Sequence, residues 1–132
     1  MNRFPGRVRS LRLHEGVSLV EFEALGERLT MLGLEPPGGL EEGSDVLLGI
    51  KGTQLLLARE DPGELALLNR LSARIEGIEW GELSAAVELR SGETLLEALV
   101  PRKALEPLAL EPGETCRVLF QASALSILEL RS

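Results

Sequence analysis

Apolar side chains in this chain come in short stretches, several of them alternating with polar positions, and Gly, Pro and Glu separate one stretch from the next. Val8, Leu11 and Leu13 stand among Arg and Ser over residues 7–13, and residues 17–22 and 29–34 are compact apolar-rich runs. Alternation puts every second side chain on one face of a strand, so each of these runs predicts a β-strand. Pro36-Pro37-Gly38-Gly39 is a breaker. Leu40-Glu41-Glu42-Gly43 then reads as a turn that delivers the chain into a strand at 46–50, and 54–58 predicts one more.

The same succession returns in the second half, with strands predicted at 72–78, 85–89, 94–100, 116–120 and 125–130. Residues 101–106, Pro-Arg-Lys-Ala-Leu-Glu, predict a short helix with Pro in its first turn. Laid on itself with a shift of roughly 67 to 70 residues, the chain comes into register as an internal repeat. Asn2-Arg3-Phe4 falls on Asn69-Arg70-Leu71, Arg7-Val8 on Arg74-Ile75, and Val20-Glu21-Phe22 on Val87-Glu88-Leu89. Gly26 and Leu29 fall on Gly92 and Leu95, and Leu40-Glu41-Glu42-Gly43 on Leu110-Glu111-Pro112-Gly113. Ile50-Lys51-Gly52-Thr53 closes the series on Phe120-Gln121-Ala122-Ser123. The matches keep their order, which points to duplication.

Five strands with at most a short helix after the third is the economy of an OB-type barrel. The expected fold is therefore all-β: two tandem OB-like five-stranded barrels, over 1–60 and 68–132, joined by a linker at 61–67. A unit of about 60 residues buries only roughly 60% of its unfolded surface and is marginal alone. The two units are expected to pack on each other, and the chain to self-associate.

Composition narrows the function. With 14 Lys+Arg against 21 Asp+Glu the formal charge is −7, and aromatic residues make up 3% of the 132 positions. An acidic chain without stacking platforms is not built to grip nucleic acid. A single Cys and a single His exclude an internal disulfide and a Cys/His zinc site. The N-terminal stretch has no signal-peptide core, and apolar runs such as Leu55-Leu56-Leu57-Ala58 fall far short of a membrane span. A cytoplasmic protein is expected.

Motifs of catalysis are missing from the sequence. His14 lies in a loop-like His-Glu-Gly, and neither Ser18 nor Cys116 has a nucleophile-and-base pattern around it. No G-x-G-x-x-G, P-loop or H-E-x-x-H occurs, and the carboxylates are scattered along solvent faces and turns. The expectation is a binding protein and not an enzyme. The end of each repeat carries the remaining chemistry. Lys51-Gly52-Thr53 combines a compact positive charge, a small residue that allows close backbone approach and a hydroxyl donor, where strand four turns into strand five. Such a cluster of donors suits a tetrahedral oxyanion. Lysine is scarce, Lys51 and Lys103 being the only two, and the second copy reads Gln121-Ala122-Ser123.

With these residues in view, the whole chain resembles a tandem Mop/TOBE protein of the molbindin family, which binds molybdate or tungstate. A unit of that family opens with S-x-R-N-x-L/F-x-G-x-V and closes with I-K-A-S/T-x-V-x-L-A. Asn2-Arg3-Phe4-Pro5-Gly6-Arg7-Val8 resembles the opening, and the stretch from Ile50 to Glu60 resembles the close. The second unit opens with Ala66-Leu67-Leu68-Asn69-Arg70-Leu71 and closes with Phe120-Gln121-Ala122-Ser123-Ala124-Leu125. The junction at 58–63, leading into 68–71, also resembles the C-terminal region of molybdate-importer ATPases.

The resemblance implies OB-like Mop/TOBE barrels and a homo-oligomer, trimer or dimer. It implies bound molybdate or tungstate without an organic cofactor, held where the opening of one unit faces the close of another. Carried over by position, the ligand-binding candidates are Asn2 and Arg3 with Lys51, Gly52 and Thr53, and Asn69 and Arg70 with Ala122 and Ser123. Ala66 and Leu68 stand where the family often has Ser and Arg, the first unit starts at Met1-Asn2 without that Ser and Arg, and Gln121 replaces the Lys. Two functions follow. The first is cytoplasmic oxyanion binding for storage, buffering or homeostasis. The alternative is a ligand-poor regulatory or interaction module, partnered with a molybdate transporter ATPase or descended from a molybdate-responsive regulator.

Overall fold

The structure is a computed structural model that describes residues 1–131. In the first half, β1 (Asn2–His14), β2 (Val17–Ala24), β3 (Glu27–Gly33) and β4 (Asp45–Ile50) are followed by a 3-10 turn and β5 (Leu56–Ala58). In the second, β6 (Asn69–Trp80), β7 (Ser84–Ser91), β8 (Thr94–Pro101), the short helix α1 (Arg102–Leu105) and β9 (Thr115–Phe120) lead through another 3-10 turn to β10 (Ser126–Leu130). All the strand pairings are antiparallel, and they make two five-stranded sheets.

Sheet and repeat do not coincide. The first sheet runs β10-β4-β1-β2-β3 and the second β5-β9-β6-β7-β8, so each half hands its last strand to the other. Leu56 pairs with Leu119 and Ser126 with Gly49. Units 1–60 and 68–132, expected to close their own sheets, therefore share them. The physical reason lies at the closing turns: Leu55 and Leu125 are buried, at 1% and 3% exposure, and anchor each departing strand in a core common to both halves. That core runs without a break through Phe4, Phe22, Leu48 and Ile50 to Leu71, Leu89, Val118 and Phe120.

β1 begins at Asn2, well before the alternation at 7–13 that predicts it. Pro5 and Gly6 disguise this start. Pairing with β2 begins only at Arg7, so the proline, opposite Leu47 of β4, has no strand on its other side to need its N–H. Both long strands bulge at the same repeat position, between Val8 and Ser10 and between Ile75 and Gly77. The bulges explain the repeated Leu-Glu-x-Gly. Gly43 and Gly113 sit at φ +90° and +92°, and their N–H groups donate to the carbonyls of Val8 and Ile75, both at 2.8 Å. A side chain at that φ would be strained. Ser44 Oγ accepts from the Glu41 N–H at 3.1 Å, and a Glu114 carboxylate oxygen accepts from the Glu111 N–H at 2.8 Å, so different residues close the same turn. The helix expected at 101–106 is present as α1 and runs on into a 3-10 turn, Glu106–Leu108, with Leu105 buried beneath it.

Candidate functional site

Each closing turn is built alike. β4 ends at Ile50, Lys51 is extended at φ −71° and ψ 140°, and Gly52–Gln54 make a 3-10 turn before Leu55 dives into the core. Gln121 is extended at φ −72° and ψ 149° ahead of the matching turn at Ala122–Ala124. The first turn is closed by the Gln54 N–H donating to Lys51 O at 2.9 Å and the Leu55 N–H donating to Gly52 O at 3.3 Å. Those bonds leave the N–H groups of Gly52 and Thr53, the first two of the turn, outside its own hydrogen bonding. Gly52 is required by space: a Cβ there would lie 2.7 Å from the carbonyl oxygen of Glu97 on β8.

The opening asparagines reach across the molecule. The Asn69 amide accepts from the Thr30 N–H at 2.7 Å and donates to Thr30 O at 2.8 Å, with the side chain fully buried. Asn2 does the same to Glu97, accepting at 2.8 Å and donating at 2.9 Å. Each amide thus completes the outer strand, β3 or β8, of the opposite sheet. The guanidinium of Arg70 is gathered into the linker, donating to Asp61 Oδ1 and Gly63 O at 2.7 Å each and to Leu67 O at 3.1 Å. Arg3 is exposed on β1 opposite Gly49.

Lys51 differs from these side chains. Its ammonium is exposed and has no ion pair or hydrogen-bond partner among the described residues. Two open pockets flank it. One, of about 470 Å³, is lined by Met1, Asn2, Lys51, Gly52, Thr53, Glu97 and Leu99. The other, of about 360 Å³, sets Lys51 and Gln54 against Ser123, Ala124 and Ser126 of the second closing turn. The structure therefore brings Asn2, Lys51, Gly52 and Thr53 together, and joins Lys51 with Ser123. It places Asn69 in the interior and Arg70 in the linker. Gln54 and Ser126 are lining residues that sequence reasoning missed, because the exchange that juxtaposes them leaves no mark in either repeat.

Residues 66–127 match the TOBE domain family. That stretch is most of the second half of the chain, which is thus similar to a TOBE domain. The first half repeats its strand order, its bulge and its closing turn. Over nearly its whole length the chain also superposes on a solved structure of the cytoplasmic molybdate-binding protein ModG with molybdate bound. The TM-score is 0.88 at 26% identity, covering 96% of this chain and 94% of that one. Searched against curated proteins, the sequence finds no match.

Burial pushes the Cys116 thiol up to about 11, so it carries no thiolate at neutral pH. His14 stands exposed with Glu15 3.7 Å away. Among the described residues no cluster of His, Cys, Asp and Glu could hold a metal ion, and no helix is long and apolar enough to cross a membrane.

Proposed function

We propose that this chain is a cytoplasmic oxyanion-binding protein that takes up molybdate or tungstate as a buffer or store, without catalysis. The observation that carries the reading is the unpartnered Lys51 ammonium between two pockets at the first closing turn, in a fold that superposes on a molybdate-bound protein. A lysine beside backbone and hydroxyl donors offers charge-assisted hydrogen bonds to a tetrahedral dianion. The net charge of −7 does not oppose this, since surface acids beyond about 10 Å are screened by salt at 0.1 M.

Self-association fits the same reading. Leu19 and Leu32 face each other across β2 and β3 at 36% and 45% exposure, with Val17 and Leu34 exposed nearby, an apolar strip that a second copy can cover. The alternative, a ligand-poor interaction module, draws on Gln121 and on the linker-bound Arg70, which leave the second turn short of cations.

Calorimetric titration with molybdate, tungstate and sulfate separates the two readings. Heat with molybdate or tungstate supports binding, and silence with all three leaves only the interaction module. Lys51→Ala is expected to weaken binding more than Gln121→Ala, and equal affinities would remove Lys51 as the main charge.

A further inference from the structure

The second sheet leaves a seam between its two ends. Its end strands are β5 and β8, each paired with a strand on one side only, β9 and β7. Both line a crevice of about 190 Å³. Leu56 and Leu57 face it from β5, Leu99 and Val100 from β8, and the buried Leu55 and Leu105 line it as well. Ala104 of α1 adds to the wall, and Thr53 is the one polar residue of the lining. Leu56 and Leu99 are 54% and 43% exposed, so this apolar lining stands in contact with water, an arrangement that burial under an apolar group would relieve. The first half is built otherwise: among the described residues no helix follows β3, and Ser126 takes the repeat place of Leu56.

Charge adjoins this crevice on the side of Thr53. Thr53 and Leu99 also line the pocket of about 470 Å³ that holds Lys51. Lys103, which precedes Ala104 on α1, is exposed and, like Lys51, has no partner among the described residues. Arg102 beside it is already engaged, donating to Glu106 at 3.0 Å. We propose that the crevice binds a short aliphatic carboxylate, with its chain among Leu56, Leu99 and Ala104 and its carboxylate at the Thr53 hydroxyl and the Lys51 ammonium. An inorganic oxyanion uses the lysine and leaves the crevice wet, whereas an aliphatic acid uses both. The space is adequate: apolar cavities of about 150 Å³ hold guests the size of benzene. Crevice and cationic pocket together fall within the roughly 300–1,000 Å³ of small-ligand sites. The chain supplies most of the affinity, since each CH2 taken out of water strengthens binding about fourfold. Glu97 lines the cationic pocket and opposes the carboxylate.

Calorimetric titration of the full chain with butyrate, hexanoate and hexanol tests this. Hexanoate is expected to bind about tenfold more tightly than butyrate, the gain from two further buried CH2 groups, and more tightly than hexanol. Ala104→Trp fills the crevice, and Leu56→Ser gives β5 the serine of the first half. Both positions are exposed, so the fold is expected to survive, and thermal melts check it. Each variant is expected to weaken hexanoate at least tenfold. Lys51→Ala is expected to weaken hexanoate about threefold, as the loss of an exposed ion pair does, and to leave hexanol unchanged. Glu97→Gln is expected to tighten hexanoate. Acids that do not bind, an affinity independent of chain length, or an Ala104→Trp variant that binds like the parent overturns the proposal. Hexanol bound as tightly as hexanoate overturns the carboxylate. If the acids stay unbound while Ala104→Trp lowers the solution mass, a second copy covers the crevice and the proposal falls. The oxyanion reading is tested apart from it: hexanoate binding without molybdate binding keeps this site and removes that reading, and the reverse result does the opposite.

Discussion

At the scale of single residues, Asn69 shows how a side chain can be spent. Its amide holds both backbone polar groups of Thr30 in a buried place, so its loss strands a buried N–H and a buried carbonyl together. Asn69→Ala is expected to cost about 2–3 kcal/mol, since each unsatisfied buried group costs roughly 1–3 kcal/mol. Asn2→Ala should cost less, because Glu97 lies in a part-buried contact where water can take over. Urea unfolding of the two variants checks this, and a loss of less than half a unit for Asn69→Ala, about 0.5 kcal/mol, would mean that Thr30 finds other partners. Asn-Arg at the head of each repeat was legible as a conserved feature of the duplication. Its role was not, because an amide that serves a ligand and one that serves a strand are the same residue in sequence.

At the scale of elements, the linker is organised around one carboxylate. The N–H of Gly63 donates to Asp61 at 2.8 Å, and the Arg70 and Arg117 guanidinium groups stand 2.7 and 3.6 Å from its oxygens. The Gly63 hydrogen bond is the largest effect; desolvation, next in size, opposes it, and the charges of Arg70 and Arg117 add to the hydrogen bond, so the Asp61 carboxyl is held below the ordinary aspartate range. A lowered carboxyl pKa adds stability that is present above the ordinary range, about 4, and is lost as pH falls through the folded value. Asp61→Asn keeps an oxygen for Gly63 but removes the charge. The variant should therefore be less stable than the parent chain at neutral pH, with the gap closing on acidification and narrowing in high salt. Urea midpoints at neutral pH and below pH 4 measure it, and a gap independent of pH would show that the Asp61 charge is idle. Strands were the legible elements, because alternation reports burial directly. The early starts of β1 and β6 were hidden by Pro5 and Gly6 and by the mixed Asn-Arg-Leu, and the linker clasp by the separation of Asp61 from Arg70 and Arg117.

At the scale of the whole molecule, strand exchange turns two marginal units into one body. Leu56, Leu57 and Ala58 read as the same strand whichever sheet receives them, so no alternation could have announced the exchange. It nevertheless fixes what each half can do alone. Residues 1–67 without the second half keep β1–β4 but lose β10, which leaves the backbone edge of β4 open beside buried Val46 and Leu48. An open edge next to a core of this size is not a stable monomer. The half-chain is expected either to stay unfolded or to form a dimer in which two copies exchange β5 as the halves do here. Residues 68–132, supplied separately, are expected to convert it to a one-to-one complex. Solution mass and circular dichroism of each half and of the mixture decide this. A folded monomeric half would show that the exchange is not needed for that half's sheet to close.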